Sequence, residues 1–375
     1  MEVNLYMKLC IITMEGAWEN ITWSGTPKAI IQYLEKHNIE ISNFSYVDKI
    51  LHYGIRINYG WGIVKKLLSK FLYSYGSNFR DPFPFWYRIN ANFFENEMRR
   101  YDVNAYFFMG EQCVRNKDKI KGKVYVYLDR MIGTISKYDE DSRIGKKWYI
   151  DNYELNDKKS LSCMDHIFTQ NDWSKEVITS KYGIPESKVT NVGVGVNLNA
   201  YQGKKDYTNH KILIVLRQGT EHYKGLDLLL DAFVIAKKKI SDLTLHVVGT
   251  NYKQIDGVRY YYNQPRSTTL RLFQECSLYA MPALLEPNGI TFLEALANKT
   301  PTIGLNRFAF PEFCGYGKYG FIVENPASEA VAEAIVEAFS DIKKLEQMGE
   351  EGQRYVLNKY TWENVTNSIL KIIAV

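Results

Sequence analysis

Apolar and polar positions alternate along the chain in blocks that predict an α/β protein. Residues 8–14 form a short apolar run, which predicts a buried strand, and a polar, glycine-containing loop follows at 15–25. Thr26-Pro27 then predicts a helix to about His37, with Thr26 as its cap and Pro27 at the first helical position. Further apolar runs predict strands at 105–109, 124–128 and 166–169. A strand, a glycine loop and a helix are how an α/β nucleotide-binding half begins.

The same pattern restarts after a polar stretch at 202–210, which predicts a linker between two domains. Beyond it we expect a helix at 226–238 with one apolar face, and strands at 211–216, 243–248, 278–281 and 302–305. Strands that alternate with helices imply parallel sheets, and two such units facing each other make a cleft. Ligands of such sheets bind at the carboxyl ends of the strands.

Length and composition narrow the function classes. The 375 residues are 46% hydrophobic and 24% charged, as in an ordinary soluble protein of two to three domains, and 14% aromatic residues argue against a disordered chain. The net charge of +5 is a mild excess, so we predict no nucleic-acid partner.

The cysteines and apolar runs bear on compartment. The five cysteines lie far apart, which argues against a zinc site or a disulfide framework and favours a reducing compartment. No stretch of about 18 apolar residues occurs, and residues 9–14 are too few for a signal-peptide core. We therefore expect a cytoplasmic protein that at most rests on a membrane surface.

Two glutamates carry the most informative chemistry. Glu286 and Glu294 are eight residues apart, with Gly289 between them and a helix predicted from about Ile290. Glycine lets backbone approach a ligand closely, and the free N–H groups of a helix start attract an anion such as a diphosphate. Glu286 would lie on the loop facing that anion, and Glu294 could accept hydrogen bonds from sugar hydroxyls. Spacing alone favours the alternative, two surface glutamates flanking a turn.

The residues around Glu286 and Glu294 favour a ligand-binding site over two surface glutamates. Residues 281–304 read MPALLEPNGITFLEALANKTPTIG, which resembles the Glu-x7-Glu signature of the family 4 glycosyltransferases, retaining enzymes of the GT-B fold. Arg217 and Lys224-Gly225 resemble the family's phosphate-binding Arg and Lys. Supporting matches are Gly193-Val194-Gly195-Val196-Asn197, Trp23-Ser24-Gly25-Thr26-Pro27, Pro311-Glu312 and Tyr360-Thr361-Trp362. The first half beyond Pro27 matches only loosely.

The resemblance implies an architecture and a donor. We expect two Rossmann-like domains facing across a cleft, an acceptor-side domain at 1–200 and a donor domain at 201–359. A C-terminal helix at about 360–375 would return to the first domain. The donor would be a nucleotide-diphosphate sugar, and no cofactor is expected.

The resemblance also implies residue roles. Arg217 and Lys224 would neutralise the diphosphate as charge develops on the leaving group; the alternative is that they are solvated charges near a helix start. Glu294 would hold the ribose hydroxyls, and Glu286 would contact the transferred sugar. The other expected donor-binding residues are Gly25 in the first-domain loop, Asn263, Gln264 and Pro265 near the nucleobase, and Asn288, Gly289, Ile290 and Thr291 near the phosphates.

One position departs from the family pattern. The family often has a histidine at the end of a first-domain strand, near the reacting sugar, whereas here Asp129 follows the predicted strand and Arg130 comes next. Asp129 could orient a hydroxyl or stabilise positive charge at the anomeric carbon, which would make it catalytic with Glu286, Arg217 and Lys224. It could equally be a loop aspartate that caps the next segment.

We expect no metal. Asp139-Glu140-Asp141 satisfies the Asp-x-Asp pattern of metal–diphosphate sites, but it lies in a charged stretch and favours a solvated loop. The six histidines have no triad-like or metal-like spacing. Arg217, Lys224 and a helix start already supply positive charge for a diphosphate.

Residues 51–101 combine basic and aromatic side chains. Eight Lys or Arg stand against three acids, an excess equal to that of the whole chain, and residues 63–72 have an amphipathic pattern. This suits contact with an anionic membrane surface or with an anionic or lipid-linked acceptor. The alternative is that the aromatic residues pack the first domain and the lysines are its solvated face.

The leading hypothesis is a retaining glycosyltransferase that moves a sugar to a glycan or lipid-linked acceptor in surface polysaccharide or glycolipid assembly. A sugar-nucleotide epimerase or a phosphorylase of the same fold is the second reading. A non-enzymatic protein that binds an anionic ligand or lipid is the third, and it leaves the Glu286–Glu294 block unexplained.

Overall fold

The computed structural model describes residues 7–13, 25–45, 84–110, 113–131, 134, 147–197 and 200–374. By its contacts the chain divides into two compact units. Unit 1 comprises Met1–Gly193 and Trp362–Val375, and unit 2 comprises Val194–Thr361. Each unit is built around its own six-stranded parallel sheet.

Unit 1 holds the first sheet. Its strands are β1 (Met7–Thr13), β2 (Ile39–Ser45), β3 (Ala105–Met109), β4 (Lys123–Leu128), β5 (His166–Thr169) and β6 (Val189–Asn191). Their order is β2-β1-β3-β4-β5-β6, and all pairs are parallel. The helices are α1 (Thr26–Glu35), α2 (Pro84–Met98), α3 (Lys147–Ser162) and α4 (Asp172–Glu176).

The central strands of this sheet are apolar on both faces. Every residue of β3 is buried, since helices cover both sides of a parallel sheet and leave no face for polar residues. The Phe107 and Phe168 rings stack across the sheet with centroids 5.8 Å apart. The predicted strands at 105–109, 124–128 and 166–169 are all present, whereas β2 was not predicted, because its sequence IEISNFS has only a weak apolar pattern.

The start of α1 differs from its prediction. The capping residue is Gly25, with φ 79°, rather than Thr26, which is the buried first residue of the helix. The helix ends at Glu35, and Ile30, Ile31 and Leu34 form its buried face. Glycine suits the cap because left-handed backbone costs it no strain.

Part of the basic, aromatic segment lies in α2. Tyr87 and Phe94 are buried in the core of unit 1, and Phe93 packs against that core, so these aromatic side chains follow the packing alternative. Residues 51–83, with the amphipathic pattern at 63–72, lie outside the described residues, as do Asp139-Glu140-Asp141 and Trp23-Ser24.

Unit 2 holds the second sheet. Its strands are β7 (Lys211–Val215), β8 (Thr244–Val248), β9 (Val258–Tyr261), β10 (Leu278–Ala280), β11 (Thr302–Leu305) and β12 (Gly320–Val323). Their order is β12-β11-β10-β7-β8-β9, again parallel throughout. Relative to β7 this is the doubly wound Rossmann order, with its topological switch point between β7 and β10.

Helices complete both units. In unit 2 they are α5 (Leu226–Lys237), α6 (Arg266–Glu275), α7 (Ile290–Ala297), α8 (Phe310–Phe313), α9 (Ser328–Ser340) and α10 (Ile342–Lys359). The last helix, α11 (Trp362–Ile373), belongs to unit 1 and packs against α1. The predicted fold class, two Rossmann-like α/β domains with a C-terminal helix returning to the first, is confirmed. No helix within the described ranges is long and apolar enough to cross a membrane.

Candidate active site

The predicted residues of unit 2 gather where its strand order reverses. β7 ends at Val215, two residues before Arg217, and β10 ends at Ala280, six residues before Glu286. The two strands are adjacent and parallel, so both loops leave the same edge of the sheet. That edge at a switch point is where open α/β sheets bind ligands.

Close backbone packing joins these two loops. The Leu285 amide donates to the Tyr223 carbonyl at 3.0 Å. Gly225 caps α5 with φ 71°, and a Cβ built there would lie 2.0 Å from the Pro282 carbonyl oxygen. Only glycine fits both the backbone conformation and the space, so the Lys224-Gly225 pair has a structural reason as well as a chemical one.

Glu286 bridges two positively polarised groups. Its Oε2 forms an ion pair with Lys224 Nζ, and its Oε1 accepts a hydrogen bond from the Gly289 amide at 2.8 Å. Both side chains of the pair are 19% exposed. Gly289 caps α7 with φ 63°, so the Glu286 carboxylate lies at the start of that helix.

The two basic residues differ in exposure. Arg217 is exposed, whereas Lys224 is largely buried. Burial, and then repulsion from the nearby Arg217 guanidinium, lowers the pKa of Lys224 to about 8. The Lys224 ammonium therefore gains from any anion beside it, and in this structure that anion is Glu286.

Glu294 occupies a different environment on α7. Its side chain is 17% exposed, and burial raises its pKa to about 7. Arg266 opposes this shift; its Nη2 lies 3.9 Å from Glu294 Oε1 and donates to the Asn197 carbonyl at 3.3 Å. The sequence analysis did not single out Arg266, although an arginine directly after Pro265 at a helix start was a readable signal.

The residues around the start of α7 are well packed. Asn288 is buried, Ile290 is the half-buried first residue of the helix, and Thr291 Oγ1 accepts from the Tyr279 hydroxyl at 2.7 Å. Tyr279 lies in β10 and is fully buried, and burial raises the pKa of its phenol. Tyr279 is a second residue that could not be singled out from the sequence, because its apolar run is that of any buried strand.

Asn263, Gln264 and Pro265 form an exposed turn between β9 and α6. Asn263 has φ 53°, and Pro265 caps α6, whose first residue is Arg266. The reach of Arg266 toward Glu294 places this turn beside the site.

The two predicted residues of unit 1 lie on other elements. Gly25 caps α1, and Asp129 directly follows β4. Asp129 is 8% exposed and pairs with Arg130 Nη1 at 2.8 Å, while its carbonyl accepts from the Ser174 hydroxyl. The Asp129 carboxylate thus contacts the neighbouring Arg130, and most of the segment that it could cap lies outside the described residues.

Within the part of the chain that the structure describes, no group of three or more His, Cys, Asp or Glu side chains could hold a metal ion. The five cysteines are free thiols, and four of them are buried.

Known proteins resemble the chain in sequence. Residues 200–355 match the family model described as Glycosyl transferases group 1. A protein described as a probable sucrose-phosphate synthase from Thermosipho melanesiensis is 29% identical over 165 residues, 44% of this chain and 34% of that protein. The chain thus spans about a third of the length of this relative. The capsular polysaccharide biosynthesis glycosyltransferase CapM of Staphylococcus aureus is 25% identical over 247 residues, 58% of this chain and 65% of that one.

Solved structures share the fold. The sucrose-phosphate synthase from Thermosynechococcus elongatus superposes with a TM-score of 0.69 at 11% identity, covering 98% of both chains. Together with the two parallel sheets, this assigns the GT-B fold to the chain. The similarity in sequence to the group 1 glycosyltransferases lies in residues 200–355.

Proposed function

We propose that the protein is a retaining glycosyltransferase of the family 4 type that uses a nucleotide-diphosphate sugar as donor. One observation carries the proposal: at the switch point of unit 2, Lys224, Glu286 and the start of α7 lie in mutual contact. A cation beside a helix start suits a diphosphate, because both favour negative charge. The match of residues 200–355 to the group 1 family supports it.

Each predicted site residue of unit 2 then has a role in donor binding. Lys224 and Arg217 stabilise the nucleoside diphosphate as it leaves, since charge builds up there when the sugar–phosphate bond breaks. The amides at the start of α7 bind the phosphate oxygens. Glu294 accepts hydrogen bonds from the ribose hydroxyls, Glu286 contacts the transferred sugar, and the turn at 263–265 holds the nucleobase.

The acceptor hydroxyl attacks from the face that the diphosphate leaves, which retains the anomeric configuration. Glu286 and Glu294 serve the donor and do not flank the bond as the two carboxylates of a glycosidase do. We propose a glycan or lipid-linked acceptor in surface polysaccharide or glycolipid assembly; the similarity to a capsular polysaccharide glycosyltransferase supports it. Asp129 is the proposed unit 1 residue near the reacting sugar.

Thermal unfolding tests the donor class. Wild type and Glu294→Ala are heated with UDP, GDP, ADP and CMP and their common sugars. A ligand at about 100 times its dissociation constant stabilises by roughly 2.7 kcal/mol. We expect one nucleotide series to raise the midpoint of wild type and not of the variant. A midpoint unmoved by every nucleotide would contradict the proposal.

Product analysis tests the reaction. NMR of the glycoside is expected to give the donor's anomeric configuration, and inversion would contradict retention. Turnover of the donor without any acceptor would instead indicate an epimerase.

A membrane role is proposed for residues 51–83. Their charges suit attachment to anionic lipid, which should be strongest at low salt. Co-sedimentation with phosphatidylserine vesicles at low ionic strength is the test, and protein that stays in the supernatant contradicts attachment.

A further inference from the structure

The Glu286 carboxylate lies where the proposed diphosphate would bind. One of its oxygens contacts the Lys224 ammonium, and the other accepts from the Gly289 amide at 2.8 Å. These are the cation and the helix-start amide that the proposed donor site would offer to phosphate oxygens. A phosphate presents neighbouring oxygens in a similar way, so the carboxylate and a phosphate compete for the same two groups.

The local packing holds this arrangement in place. Gly225 and the Tyr223 carbonyl tie the loop of Lys224 to the loop of Glu286, so the pair is set by the backbone on both sides. Both side chains are four-fifths buried, which strengthens their attraction over that of a surface pair. The contact is therefore a defined feature of the site.

The positive charges of Arg217 and Lys224 exceed the negative charge of Glu286 by one. Within the described residues Arg217 forms no ion pair with a carboxylate, and it is exposed. Arg217 and Lys224 together bring two positive charges, and Glu286 balances one. An arriving diphosphate meets Arg217 first and then competes with Glu286 for Lys224.

We propose that Glu286 is a resident anion that the donor's diphosphate displaces. This inference rests on the proposed function. Displacement frees the carboxylate from Lys224 and from the Gly289 amide, and the freed side chain turns to the transferred sugar. After transfer, return of Glu286 to Lys224 helps to expel the nucleoside diphosphate. Diphosphate binding and placement of the carboxylate near the sugar thus become one coupled exchange.

Titration calorimetry at fixed ionic strength tests the exchange. The probes are inorganic pyrophosphate and UDP, GDP and ADP, each titrated into wild type and Glu286→Gln. Glutamine keeps the shape and can accept from the Gly289 amide, but it has no charge for Lys224. If Glu286 occupies the site about nine-tenths of the time, the variant binds the diphosphate about tenfold more tightly.

Glu329→Gln is the matched control. Glu329 is exposed on α9, so its substitution removes the same unit of charge away from the site. We expect no more than a twofold change in this control. Glu286→Asp keeps the charge but is one methylene shorter, so it cannot hold both contacts and should tighten binding by less than Glu286→Gln; it also covers the case in which the glutamine variant does not fold.

The outcomes separate this inference from the proposed function. Nucleoside diphosphate binding to wild type with no tightening in Glu286→Gln overturns the resident anion and leaves the donor proposal standing. Pyrophosphate that binds more tightly to Glu286→Gln, with no nucleotide binding to either protein, supports the exchange and overturns the nucleotide donor. No binding of any probe to any variant overturns both.

Discussion

The carboxyl edges of the two sheets present the same architecture with different chemistry. In unit 2, Glu286 reaches a lysine in another loop and the start of a helix. In unit 1, Asp129 pairs with Arg130, its neighbour in sequence, at 2.8 Å. The first contact joins two loops that are far apart in sequence, whereas the second joins neighbours in one loop. A shared fold therefore does not give both edges the same chemistry.

The largest effect that should separate the two edges is on turnover. Lys224→Ala removes the buried ammonium from the leaving diphosphate, and we expect donor turnover to fall roughly a hundredfold or more. Lys238→Ala removes an exposed lysine just after the end of α5 and should change turnover by less than twofold. Steady-state assays of both variants test this prediction. Equal losses of turnover in the two variants would show a general effect of charge instead.

Loop packing gives the next effect. In Gly225→Ala the new Cβ meets the Pro282 carbonyl oxygen at 2.0 Å in left-handed backbone, so the free energy of unfolding should fall by about 3 kcal/mol. Gly219→Ala is the control: its φ is +84° and nothing lies within 4 Å of the Cβ, so only backbone strain of about 1 kcal/mol is expected. Urea denaturation measures both. If the two variants lose equal stability, the contact with Pro282 does not matter.

The pH dependence of nucleotide binding is a smaller effect. Below a pKa of about 7, Glu294 is protonated and accepts poorly from ribose hydroxyls, so affinity should rise as pH rises through 7. Above a pKa of about 8, Lys224 loses its charge, so affinity should fall again. On each limb of the pH profile, nucleotide affinity should change by about tenfold per pH unit.

Calorimetry from pH 6 to 9 measures this profile. Glu294→Gln serves as the control, because it should lose the acidic limb and keep the alkaline one. An acidic limb that persists in the variant would belong to the nucleotide's own phosphate.

The smallest effect is expected at the edge of unit 1. Asp129→Asn leaves the unit 2 groups untouched, so nucleotide affinity should stay within twofold of wild type, whatever happens to sugar transfer. The same titration checks it, with far-UV circular dichroism as a test of folding. A tenfold or larger loss of nucleotide affinity in a folded Asp129→Asn variant would remove the distinction between the two edges.

Much of the fold could be predicted because buried parallel strands are nearly continuous apolar runs. The strands at 105–109, 166–169 and 302–305 have the predicted bounds, and α7 begins at Ile290 as predicted. The four edge strands β2, β6, β9 and β12 were not predicted. β2 and β9 carry mixed polar residues that resemble loops, and β6 and β12 are only three and four residues long.

The candidate site could be predicted where its charged residues and its glycines are neighbours in the sequence. Lys224-Gly225 and the block from Glu286 to Glu294 are short and local, so their pattern could be read directly. The contact between Lys224 and Glu286 joins residues more than sixty positions apart, and no local pattern encodes it. The place of Arg266 at a helix start could be read from the sequence, but its approach to Glu294, 28 positions further on, could not.

The chain leaves unit 1 at Gly193 and returns to it only at Trp362. During synthesis, unit 2 is therefore complete on the ribosome before unit 1 has received its last helix. Trp362, Val365 and Ile369 are buried in unit 1, so until α11 arrives the surface that they cover stays open to water. Domains usually fold in the order in which they are synthesised, the N-terminal one first. Here the folding of unit 1 can be completed only after unit 2 has been synthesised.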